Sequence, residues 1–138
     1  MSAAESSPAP RSRRARGARE SLGSVVLGFE SIVVFLGGLV VYGLRVLPGG
    51  IEPWWGIVGG SVLALLMVVT AGLLRHPWAI AVGWALQGVV LLGGFLVPAL
   101  FAVALIFGGM WAYATIKGAS LDARNARHAA PPEPSNGE

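Results

Sequence analysis

Seven side chains able to do polar chemistry lie inside the long apolar runs of this sequence: Glu30, Ser31, Ser61, Thr70, Trp84, Gln87 and Trp111. Glu30 demands an explanation first, because a carboxyl group surrounded by hydrocarbon is costly and needs a partner or a task. Counted along helices, Glu30 falls about 8 residues and Gln87 about 9 residues from the starts of their segments. At 1.5 Å per residue both sit roughly 12–14 Å deep, so they can meet across a helix–helix contact. Thr70 and Trp111 lie at similar depth. Glu30, Thr70, Trp84, Gln87 and Trp111 therefore form the candidate intramembrane polar cluster. In the third segment Ile80, Gly83, Trp84, Gln87, Leu91 and Gly94 recur at helical spacing and are expected to share one face. Small residues beside a polar one let a neighbouring backbone approach while Gln87 finds its hydrogen bond. Glu30 then has three readings: glue that pairs with Gln87 or Trp84, a proton or cation site, or a contact with another protein.

The elements that must carry these groups follow from the charge pattern. Between Gly23 and Ile116 there are four formally charged residues, Glu30, Arg45, Glu52 and Arg75. The run from Trp78 to Ile116 has none over 39 residues. A single helix of that length would reach roughly 58 Å, about twice the hydrocarbon core, so it must fold back. Gly93-Gly94 followed by Pro98 marks the turn. Four spans result, at about 23–44, 54–74, 78–95 and 98–116, within a transmembrane domain of residues 22–117. The first span tolerates Glu30. About thirteen strongly apolar residues at roughly −0.3 to −0.6 kcal/mol each outweigh roughly +2.5 to +3.5 kcal/mol for a central acidic residue.

Five arginines precede the first span, but that span is too long for a secretory signal core and no small-residue cleavage site follows. Arg13-Arg14 resembles a twin-arginine pair without the apolar residues that should follow it. The segment reads as a retained span. Residues 1–21 and 118–138, rich in Ser, Pro, Ala and Arg, read as disordered cytoplasmic tails. Nine basic residues fall on the side of the two tails and Arg75, against Arg45 alone on the other. The positive-inside rule then places both termini in the cytoplasm. The aromatics agree, with Tyr42, Trp54 and Trp55 at the outer boundary and Trp78 and Tyr113 at the inner one. Arg75 and Trp78, in the tight turn with His76 and Pro77, are the candidate headgroup contacts. The expected fold class is all-α integral membrane, with four helices as two hairpins, N-in/C-in, in the inner membrane of a bacterium.

Composition narrows the function. The hydrophobic fraction is 54% and charged residues make up only 12%, nearly all in the tails. The basic isoelectric point near 10.2 is thus a local tail property and does not indicate nucleic-acid binding. Without cysteine there is no disulfide, thiol chemistry or thiolate metal site. His76 and His128 lie far apart, the Gly-Gly pairs lack a phosphate-loop lysine, and no nucleophile elbow or paired-carboxylate site occurs. No enzyme, cofactor or metal is expected. The expected partners are the lipid bilayer and either a membrane protein or a second copy of the chain.

Several stretches stand out against so plain a composition: Ser21-Leu22 leading to Glu30, Arg75 with Pro77-Trp78, and Gly83-Trp84-Ala85-Leu86-Gln87. To these add Gly94-Phe95-Leu96-Val97-Pro98-Ala99-Leu100-Phe101 and Ile106-Phe107 with Trp111. Together they resemble a family of small actinobacterial membrane proteins, domain of unknown function 4233. His76 departs from the Arg-Pro-Trp that the resemblance leads one to expect. The resemblance implies four spans, no known activity, and often a gene beside that for folylpolyglutamate synthase. Small multidrug-resistance exporters also combine four spans with a glutamate in the first, and the similarity ends with that layout. Those exporters work as antiparallel dimers and need a weak topological bias, unlike the nine-to-one bias here. The leading expectation is an accessory or interaction protein; the alternatives are a proton-coupled transporter using Glu30 and a lipid-binding protein acting through Arg75.

Overall fold

Apolar runs punctuated by Pro and Gly become four helices in the computed structural model, which describes residues 15–131. They are α1 Ala18–Leu44, α2 Trp55–Leu73, α3 Pro77–Gly93 and α4 Ala99–Ala129, with no strand among the described residues. Each boundary has a local cause. Arg45 ends α1 in the left-handed conformation, φ 52°, and Gly50 at φ 96° turns the chain toward α2. His76 is held extended by the proline that follows it, and Pro77 opens α3 where its missing N–H costs nothing. Gly94 closes α3, its N–H reaching Leu91 O and Leu92 O, and Pro98 precedes α4.

Three of the four helices, α1, α2 and α4, are long and apolar enough to cross a membrane. The 17-residue α3 is apolar but shorter, about 25 Å at 1.5 Å per residue.

The helices run up and down, giving two ends. The Arg75 end gathers the start of α1, the α2–α3 turn and the last third of α4. The Arg45 end holds the other two connections. α1 packs on both α2 and α4, α3 packs on α4 and more lightly on α2, and α1 scarcely meets α3. The α1–α2 crossing is a glycine contact: a Cβ on Gly38 would lie 2.5 Å from the Gly56 carbonyl oxygen, and one on Gly60 2.9 Å from Gly38 Cα. Two backbones this close maximise dispersion contact where lipid supplies no hydrophobic drive. Because a three-residue turn joins α2 to α3 at the Arg75 end, the pair splays at the other. The resulting apolar cleft, about 390 Å³, is lined by Val34, Gly38, Gly60, Leu66, Val90 and Val97 among others.

Two tail boundaries need correction. α1 begins at Ala18, inside the tail expected for residues 1–21. α4 continues to Ala129, through most of the tail expected to be disordered over 118–138. The stretch Gly118–Ala129 is rich in good helix formers and has no proline before Pro131. Arg127 and His128 in its last turn complement the helix dipole. Tertiary contact completes the case. Asp122 accepts hydrogen bonds from the N–H of Ala18 (2.6 Å) and Arg19 (3.2 Å), and so caps α1 from another helix. Gly118 lies directly against the Arg19 backbone. The rest of both expected tails, residues 1–14 and 132–138, lies outside the described residues.

Candidate functional site

At the middle of the bundle α1 and α3 each turn one polar side chain inward. Gln87 Nε2 donates to Glu30 Oε2 at 2.5 Å. Glu30 is 0% and Gln87 6% exposed. The contact expected from equal depth is thus made, between helices that otherwise scarcely meet.

Trp111 joins them from α4. It is 0% exposed, and its six-membered ring fills the space over two glycines. A Cβ on Gly83 of α3 would strike the ring, and one on Gly23 of α1 would come within 3.2 Å of it. The close approach that glycine permits on α3 serves the Trp111 ring, not a neighbouring backbone. Fully buried Leu27 and Met67 fill the surrounding core.

Thr70 is buried too, but its Oγ1 donates to Leu66 O of its own helix at 2.7 Å. Ser31 and Thr115 likewise return their hydroxyls to their own helices. Thr70 therefore shares the depth of the cluster without a hydrogen bond into it.

Trp84 is a correction. It is 47% exposed and points outward. The inward face of α3 carries Ala79, Gly83, Leu86, Gln87 and Val90, one residue off the face expected from spacing. Successive helical residues are about 100° apart, so the burial of Gly83 sends Trp84 outward. There it lines, together with Gln87, a groove between α3 and α4.

The second candidate, at the α2–α3 turn, is an exposed assembly. Arg75 Nε donates to His76 Nε2 at 3.2 Å, and the His76 ring stacks on Trp78 with centroids 6.1 Å apart. Arg75 borders a hollow of about 260 Å³ shared with Arg16, Glu20 and Gly72. Arg16 pairs with Glu20 at 3.4 Å. The sequence reading missed Arg16 and Glu20 here, as it missed Asp122. A usable signal existed for Asp122: buried Trp111, Thr115 and Gly118 precede it at spacings of three and four, so one inward face continues past Lys117.

Chemically, the central site offers one carboxyl, one amide and one indole N–H. All three can hydrogen-bond, the carboxyl alone can take up or release a proton, and none is a nucleophile with a base beside it. Residues 21–127 match the family described as Protein of unknown function (DUF4233). No curated protein and no solved structure matches the chain.

Proposed function

Since the chain belongs to the DUF4233 family of proteins of unknown function, we propose a reading built on its own geometry. It is a four-span protein of a bacterial cytoplasmic membrane, with both termini in the cytoplasm, acting as a non-catalytic accessory or interaction protein. The carrying observation is the direction of its polar groups. Glu30 and Gln87 face each other inside the bundle, and Ser31, Thr70 and Thr115 bond their own helices. The outward surface is apolar, with Phe29, Ile32, Leu105, Ile106 and Tyr113 well exposed. Such a surface meets lipid, a second copy or a helical partner.

Orientation rests on charge. Arg16, Arg19, Arg75, Lys117, Arg124 and Arg127 belong to one end of the bundle and Arg45 to the other, the asymmetry that holds basic residues on the cytoplasmic side. Exposed Trp54 and Trp55, stacked at 4.5 Å, suit the opposite interface, and exposed Trp78 and Tyr113 the cytoplasmic one. α3 completes the fourth crossing with a small adjustment of tilt or bilayer thickness.

Mass spectrometry of what co-purifies from native membranes in mild detergent tests the accessory role. A partner or a second copy should appear in stoichiometric amount with wild type and equally with Glu30→Gln, because Glu30 lies inside the bundle. A lone chain in both samples removes the accessory reading. The proton-coupled alternative draws on one observation, that Glu30 Oε1 has no hydrogen-bond partner among the described residues. Liposome flux abolished by Glu30→Gln would favour it.

A further inference from the structure

Three side-chain atoms at the centre of the bundle are buried without a hydrogen bond from the described residues: Glu30 Oε1, Gln87 Oε1 and Trp111 Nε1. Buried polar groups are seldom left so, and three on three helices call for a common explanation. Their positions are tied together. Glu30 Oε2 already accepts from Gln87 Nε2, so both free oxygens flank that one contact. Gln87 Oε1 faces the open side of Gly108, 3.6 Å from where a Cβ would stand, one turn before Trp111 on α4. Trp111 Cε2, the atom bonded to Nε1, lies over Gly83, one turn before Gln87 on α3. Residues three or four apart on a helix are neighbours, so the three atoms share one small region.

Their chemistry is complementary to a single ligand. Two are acceptors, a carboxyl oxygen and an amide oxygen, and one is an N–H donor. A cation would be opposed by the indole N–H, an anion by the two oxygens, and an apolar molecule would leave all three unsatisfied. Water has two hydrogens to give and a lone pair to accept with. We propose that one buried water molecule bridges Trp111 Nε1, Glu30 Oε1 and Gln87 Oε1. It accepts from the indole and donates to the two oxygens, making the three bonds typical of an internal water. The absence of a side chain at Gly108 gives it room on the α4 side. The bridge links α4 to the Glu30–Gln87 contact at the centre of the bundle, whereas the direct side-chain hydrogen bonds from α4 to α1, those of Asp122, lie at the Arg75 end. In an accessory protein it is a third strut; in a proton-coupled one it is the station beside Glu30.

A crystal structure grown from lipid at a resolution that shows ordered water tests this directly. The expected result is one density peak within about 2.7–3.2 Å of all three atoms. An indole N–H bonded straight to either oxygen, or no density among the three, would overturn it. A second measurement uses ¹⁵N-labelled indoles, with Trp111→Phe identifying the Trp111 signal. In wild type the Trp111 N–H should show magnetisation transfer to a long-lived water, and Glu30→Leu should abolish that transfer while the signal persists. Transfer unchanged in Glu30→Leu would also overturn the bridge.

Discussion

Trp111 and Trp84 belong to the same residue type and to neighbouring helices, yet they occupy opposite environments. Trp111 fills the space left by Gly23 and Gly83, while Trp84 faces outward. Removing the first leaves a cavity that helices cannot easily close, whereas the second is replaced by lipid. Trp111→Ala is expected to destabilise the protein by about 3 kcal/mol and Trp84→Ala by under about 1 kcal/mol. Thermal unfolding in one detergent would compare them, and equal losses would show that Trp111 is not the central packing residue. The Glu30–Gln87 contact was legible in the sequence because an acid and an amide at equal depth in hydrocarbon have few other partners. The outward turn of Trp84 was not legible. Helices apolar all round carry no polar stripe to fix their rotation, so an error of one residue goes unmarked until neighbours are known.

Among the elements, α4 departs most from its sequence reading. Lys117 and the charged residues after it read as solvated tail, and composition alone gives no hint that Asp122 reaches across 104 residues of chain to the start of α1. The break between α3 and α4, marked by Gly93-Gly94 and Pro98, was legible because those signals are local, whereas Pro77, placed in the turn, proves to open α3. A cap donated by another helix is not local. Asp122 engages two N–H groups that would otherwise lack an intrahelical partner. Asp122→Ala should therefore cost about 0.5–2 kcal/mol and speed hydrogen exchange at Ala18 and Arg19. Unchanged protection at those two amides would show that the cap is not maintained in solution.

For the whole molecule, the contrast lies between a tied end and an open one. Asp122, Gly118 and the short α2–α3 turn hold the Arg75 end together, while α2 and α3 part toward the Arg45 end around the apolar cleft. Alternation of helices was legible from charge and length; the splay was not, because it depends on which helix pairs pack closely. Orientation can be read with single cysteines, since the chain has none of its own. An impermeant maleimide applied to intact cells should label Gly49→Cys, and should label Ala130→Cys only after permeabilisation. The reverse pattern would invert the proposed topology. The central claim is that the intramembrane polar chemistry is turned inward and holds the two hairpins to each other. A double-mutant cycle of Glu30→Leu and Gln87→Leu, read as unfolding free energy in bilayer-like discs, tests it most directly. Each single change should cost about 1–3 kcal/mol by leaving its partner unsatisfied. The double should cost less than their sum, with a coupling of about 1–2 kcal/mol. Strict additivity would contradict the account, because the two side chains would then not depend on one another.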